Sequence, residues 1–223
     1  MNPTPETAAV HPPARTPWDL KLFYAFAGLL IVGTVALLAF WRPHDPAVVK
    51  GQKPVQNRQL GSFAFTNQTG HIVTHAEVAG KFAVVNFIHT SCSISCLRVN
   101  QQMAEVQRLT AGQDDVRLLS FTVDPRTDTP PVLAQFGEQF GTDAARWSML
   151  TGDKAALYDL IESSFLHREP LVSGIEMPGG FVGVERIAVV DRTGTVRRYF
   201  DGMKSGSAAA IVSFLEELRT ESR

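Results

Sequence analysis

The chain has 223 residues, 44% of them hydrophobic and 19% charged, the balance of a globular protein with room for one domain of ordinary size plus appendages. A formal net charge of -1 gives no electrostatic attraction for nucleic acid, and no nucleic-acid partner is expected. Two cysteines are too few for a disulfide-stapled scaffold.

Residues 1–21 carry five prolines and little apolar periodicity, and are expected to be a disordered tail. Residues 22–41, Leu22 to Trp41, hold no charged side chain. A helix of about 20 apolar residues spans a bilayer core of about 30 Å, and Lys21, Trp41 and Arg42 suit the two interfaces. The run exceeds the roughly 7–15 residues of a signal-peptide core and no clean A-x-A site follows, so an uncleaved transmembrane anchor is expected. The bases Arg42, Lys50, Lys53 and Arg58 outnumber Arg15 and Lys21, which by the positive-inside rule alone would hold the C-terminal part inside. That rule is weak ahead of a large domain, and a tethered dithiol belongs where thiol redox state is contested. The domain is therefore expected on the outer, periplasmic-type side. Residues 42–60, with prolines, glutamines and scattered bases, read as a linker.

Residues 61–223 read as one α/β domain. Phe63 and Phe65 alternate with small residues, Asn67-Gln68-Thr69-Gly70 is a turn, and His71 to Thr74 returns as a second strand. Phe82 to Ile88 is a near-continuous apolar run, the mark of a strand buried on both faces. From Cys92 the period changes: Cys92, Cys96, Val99, Met103 and Val106 form one face of a helix, ended by Ala111-Gly112. Val116 to Val123 is again strand-like, which completes a right-handed βαβ unit. Thr129 is placed to cap a helix reaching about Phe140, with proline in its first turn. Trp147 to Leu150 is a short strand, and Asp153 caps a helix through about Phe165. Residues 166–184 are loop-like. Ile187 to Val190, the turn Asp191-Arg192-Thr193-Gly194 and Thr195 to Phe200 form a second hairpin, and Ser207 caps a last helix with Ile211, Phe214, Leu215 and Leu218 on one face. The order βαβ, further helices, then ββα is that of a thioredoxin-like fold, here with an N-terminal hairpin and an inserted loop, preceded by one transmembrane helix.

The chemistry concentrates in Cys92-Ser93-Ile94-Ser95-Cys96, directly after the apolar strand. A strand–loop–helix junction sets Cys92 at a helix N-terminus, where unpaired N–H groups and the macrodipole favour the thiolate. Cys96 follows one turn later on the same face. That offset meets the Cα separation of about 4.4–6.8 Å that a disulfide needs, and the same two thiolates suit Cu(I), a soft ion that accepts low coordination. The bland alternative makes both cysteines small core hydrophobes continuing the helix stripe; the serines at 91, 93 and 95 argue against it.

Asn86-Phe87-Ile88-His89-Thr90-Ser91-Cys92-Ser93-Ile94-Ser95-Cys96, with Phe121-Thr122-Val123-Asp124-Pro125 and Asp128-Thr129-Pro130, resembles the Sco/SenC family over about residues 61–219. The resemblance implies a membrane-anchored, thioredoxin-like protein that uses C-x-x-x-C in assembling the copper sites of cytochrome oxidase. It carries the metal-site and catalytic roles onto Cys92 and Cys96. It implies copper as cofactor, with a copper-site subunit of an oxidase or another periplasmic thiol protein as partner; the two thiolates of this chain favour Cu(I) over Cu(II). One departure stands out: counting back from Asp191 by the family spacing, the position of its copper-ligating histidine falls on Gly183. His89, Met177 and His167 are the substitutes the sequence offers, though His89 reads more simply as a buried, hydrogen-bonded histidine. His71 and His75, four residues apart in an extended strand, stand about 13 Å apart and are not expected to chelate. Asp124 and Asp128 read as turn and cap residues that shape the dithiol pocket, and Glu185 and Arg186 as a solvated face.

Three functions follow. The dithiol could serve copper-site assembly by carrying Cu(I) or by keeping target cysteines reduced; it could be a general thiol–disulfide oxidoreductase that binds no copper; or the domain could dock a membrane partner without chemistry.

Overall fold

The computed structural model describes residues 24, 25, 29, 58–91, 94–165 and 185–221. The chain divides into two units, Met1–His44 and Asp45–Arg223. In the first, Tyr24, Ala25 and Leu29 are helical, and the remainder of the expected tail and anchor lies outside the described residues. Among the described residues no helix is long and apolar enough to cross a membrane.

In the second unit seven strands form one mixed sheet: β1 (Ala64–Asn67), β2 (Ile72–Thr74), β3 (Phe82–Ile88), β4 (Val116–Thr122), β5 (Trp147–Thr151), β6 (Arg186–Val190) and β7 (Val196–Asp201), in the order β2-β1-β5-β4-β3-β6-β7. The β3–β4 and β4–β5 pairs are parallel and the others antiparallel. The helices are α1 (Ile94–Leu109), α2 (Pro130–Glu138), α3 (Lys154–Phe165) and α4 (Ser207–Glu221), with a 3₁₀ turn at His75–Glu77. This is the expected α/β order, N-terminal hairpin included. The inserted loop over 166–184 lies outside the described residues.

β3 lies inside the sheet between β4 and β6, and all seven of its residues are buried, which suits a strand covered on both faces. Its alternate residues feed two core layers. Ala83, Val85 and Phe87 join Phe63, Phe65, Phe121, Leu157, Ile161 and Phe165 on the α3 side. Phe82, Val84 and Ile88 join Val99, Met103, Val106, Leu133, Ile211 and Leu215 on the side of α1, α2 and α4. Of the stripe expected on α1, Cys96, Val99, Met103 and Val106 are all buried, and Cys92 lies outside the described residues. Full burial of a side chain of this size contributes about 1.5–3 kcal/mol, so the two layers hold the carboxyl end of β3 and the start of α1 in fixed register.

Three local features differ from the sequence reading. Leu60 is buried, and Leu60 N–H and Val196 N–H bond to Gly194 O and Arg58 O, each at 2.8 Å, so ordered packing starts before Gly61. Thr129 stands at the N-cap of α2 but its hydroxyl makes no capping bond; Pro130 and Pro131 remove two of the N–H groups a cap would satisfy. Ser207 Oγ donates back to Asp201 O at 2.5 Å instead of capping α4. The Ala208 N–H there is met by Gln102 Oε1 of α1 at 3.0 Å, a long-range cap. Asp153 does cap α3, its carboxylate accepting from Ala156 N–H at 2.9 Å.

Candidate functional site

β3 and β4 run parallel, in register from Phe82↔Val116 to Ile88↔Thr122, so their carboxyl ends emerge side by side. In open α/β sheets this end is where sites form. The loop His89-Thr90-Ser91 leaves β3 there and α1 starts at Ile94. Cys96 lies in the first turn of α1, is 1% exposed and is disulfide-bonded. Cys92, the other cysteine of the chain, lies outside the described residues. Beside Cys96 the helix turns Ile94 and Leu97 to the surface, 74% and 40% exposed.

The loop is held from the neighbouring strand. Asp128 has no exposed surface. Its carboxylate accepts from Thr90 N–H at 3.1 Å and Thr90 Oγ1–H at 2.6 Å, and from the hydroxyl of Thr122 at the end of β4. A buried carboxylate is costly unless hydrogen-bonded on all sides, so these bonds make Asp128 a rivet between the two strand ends. Asp124 builds the turn that delivers it: the Thr127 and Asp128 N–H groups donate to Asp124 O at 3.1 and 2.9 Å, and Asp124 N–H donates to Thr122 Oγ1 at 2.9 Å. Asp124 and Asp128 are thus turn and bracing residues, as the sequence suggests.

A second brace meets Cys96 from the core. Asn100, one turn along α1 and fully buried, donates from Nδ2 to Cys96 O at 2.9 Å. Its own Oδ1 accepts from Asn86 Nδ2 of β3 at 3.2 Å. The motifs in the sequence contain Asn86, Thr90 and Thr122 without marking their bracing role, and Asn100 lies outside them. The available signal was polarity out of place: Asn86 interrupts an all-apolar strand, and Asn100 adjoins the apolar face of α1.

The proposed substitute ligands fare differently. His89 is half-buried, with Ser91 Oγ 3.3 Å from its Nδ1, so it is more open than the buried histidine expected. His71 is exposed and its Nδ1 lies 2.8 Å from Thr69 Oγ1. His75 falls in the 3₁₀ turn rather than in an extended strand; its ring meets Phe63 edge-on at 6.2 Å. His167, Met177 and Gly183 lie outside the described residues. Among the described residues no group of three or more His, Cys, Asp or Glu side chains could hold a metal ion. Glu185 and Arg186 are exposed.

A charge network lies at the opposite end of the sheet, where β3 begins. Arg219 and Arg192 bond Asp115 at 2.8 and 2.7 Å and cover the Phe82 ring at 5.7 and 4.6 Å. The Arg219 hydrogen bond, aided by Arg192 against the cost of burial, holds the Asp115 carboxyl below its usual range.

Comparison with known proteins matches this architecture. The SCO1/SenC family model matches residues 51–218. A SCO1/SenC family lipoprotein from Bacillus anthracis str. Ames is 27% identical, with a TM-score of 0.63 over 78% of this chain and 99% of that one. BsSco, described as a member of the Sco family of cytochrome c oxidase assembly proteins with a disulfide switch, is 25% identical, with a TM-score of 0.61 over 76% of this chain and 97% of that one. ScoI of Bradyrhizobium japonicum, solved with copper bound, is 25% identical, with a TM-score of 0.55 over 69% and 96%.

Proposed function

The chain belongs to the SCO1/SenC family, and from that premise we propose that it assists copper-site assembly in a respiratory oxidase through the dithiol of Cys92 and Cys96. The carrying observation is Cys96 itself: a buried, disulfide-bonded cysteine in the first turn of a helix that follows a central strand. The copper-bound relative and the assembly role stated for BsSco support copper as cargo and an oxidase as destination.

Copper loading and disulfide formation exclude each other. Only thiolates bind the ion, so the disulfide must first accept two electrons and two protons from a dithiol donor. The reduced pair then takes up Cu(I). In the exchange reaction, the Cys92 thiolate attacks one sulfur of a target disulfide and expels the other as thiolate. Cys96, deprotonated, attacks Cys92 Sγ, the mixed disulfide breaks, and the target leaves as a dithiol. Helix-N-terminal placement favours Cys92 as the attacking group.

Gly183 stands at the family's histidine position, which weakens Cu(II) and favours Cu(I), with His89, Met177 or His167 as a further donor. The organisation is a tail over 1–21, an anchor over 22–41, a linker over 42–60 and the thioredoxin-like domain over 61–223, held on the outer side of a membrane. The lipoprotein relative supports surface tethering of such a domain. The same dithiol without copper is a general thiol–disulfide oxidoreductase, favoured by the absence of a histidine at 183.

The test is Cu(I) binding by the reduced protein under anaerobic conditions, beside Cys92→Ser/Cys96→Ser. One Cu(I) per chain, lost in the double variant, is expected. No binding above the variant would refute the carrier and leave the oxidoreductase.

A further inference from the structure

A single-file chain of hydrogen bonds crosses the core layer beneath α1 and ends on the backbone of Cys96. Trp147 Nε1–H donates to Ser120 Oγ at 2.8 Å. The Ser120 hydroxyl donates to Asn86 Oδ1 at 2.5 Å, Asn86 Nδ2 donates to Asn100 Oδ1 at 3.2 Å, and Asn100 Nδ2 donates to Cys96 O at 2.9 Å. Trp147, Ser120, Asn86 and Asn100 each have 0% exposure, and the chain is embedded among Val84, Val99, Met103, Leu118 and Met149. Every donor points the same way, from β5 through β4 and β3 to α1. Trp147 has only a donor to offer and fixes the direction; Asn86 and Asn100 then have one orientation that satisfies both neighbours.

Packing does not require this. An apolar layer of the same shape can be equally stable, and a buried polar network is costly unless every member is satisfied. The network terminates on the main chain of the one described cysteine, at the helix turn that carries it, and is complete while Cys96 is disulfide-bonded. We propose that Asn100, backed by Asn86, Ser120 and Trp147, is a positioning residue for the dithiol: it fixes the main chain at Cys96 in the first turn of α1 and so sets the balance between disulfide and dithiol. This rests on the reading of Cys92 and Cys96 as a working redox couple.

The experiment equilibrates the full-length protein with glutathione buffers. Two glutathione thiols reduce one disulfide, giving the Cys92 and Cys96 thiols and oxidised glutathione. The thiol fraction is read by alkylation, and folding stability by denaturant titration. Asn100→Leu removes the donor to Cys96 O and should shift the equilibrium about tenfold, about 30 mV. Trp147→Phe removes only the far donor and should shift it in the same direction by less. Val106→Ala weakens the same core layer without touching the chain, and should lower stability with the equilibrium unchanged. Asn100→Leu within twofold of the parent, or Val106→Ala shifting as far as Asn100→Leu, would overturn the inference and leave the redox reading standing. A parent protein whose cysteines never exchange with glutathione would overturn that reading and the inference with it.

Discussion

Asp128 shows how a single side chain sets the local geometry of the candidate site. Its carboxylate is fully buried and accepts from Thr90 and Thr122, so it ties the loop that leads into the cysteine motif to the neighbouring strand end. Replacing it by alanine strands the Thr90 N–H and two hydroxyls. Asp128→Ala should cost about 1–3 kcal/mol, measured by denaturant unfolding, and should speed alkylation of the reduced cysteines. Unchanged stability and unchanged alkylation would deny the bracing role. The sequence motif marks Asp128, but Thr90 is 38 residues away, and only the parallel register of β3 with β4 brings them together. Gly202 was equally silent in the sequence. A Cβ there would lie 2.8 Å from Val99 Cγ2 and 3.0 Å from Glu185 O, one of them backbone, so the end of β7 packs on α1 only without a side chain. Gly202→Ala should destabilise by about 1–3 kcal/mol through overpacking, again by denaturant unfolding.

Among the elements, α1 is the one whose position matters most. Its buried stripe was readable because Cys96, Val99, Met103 and Val106 recur at helical spacing, and β3 was readable because seven consecutive residues suit double-sided burial. What could not be read is how the helix ends are satisfied. Gln102 of α1 caps α4, and the two prolines of α2 replace a hydroxyl cap; both depend on tertiary neighbours rather than on local pattern. Met103 is fully buried between α1 and the sheet. Met103→Ala should cost about 2–5 kcal/mol by thermal or denaturant unfolding, and a loss below 1 kcal/mol would contradict the close packing of this layer.

At the scale of the folded domain, the cysteine motif and the Asp115 ion pairs sit at opposite ends of the sheet. The cysteine motif follows the carboxyl end of β3, while Asp115, Arg192 and Arg219 surround its start. Asp115 is held below its ordinary carboxyl value, first by the Arg219 hydrogen bond. A depressed carboxyl stabilises the fold above its unfolded value of about 3.9 and loses that contribution as the pH falls through the folded value. The side chain is 31% exposed, so the contribution is at most about 1 kcal/mol. Asp115→Asn should therefore lower stability at pH 7 by that order and converge with the parent in acid; a constant difference across the range would refute the assignment. The thioredoxin-like α/β order of the domain was legible in the sequence because it is written in local pattern. The braces behind the site were not, because each joins residues far apart in the chain.

The central claim is that the dithiol serves copper-site assembly, and it is tested most directly in cells lacking their own copy of this protein, supplied with either the parent chain or Cys92→Ser/Cys96→Ser. The measurement is the copper content and activity of the respiratory oxidase at equal levels of the two proteins. The account predicts restoration by the parent and at least a tenfold deficit with the double variant. Full restoration by the variant would contradict it, and would leave the domain a docking module without thiol chemistry.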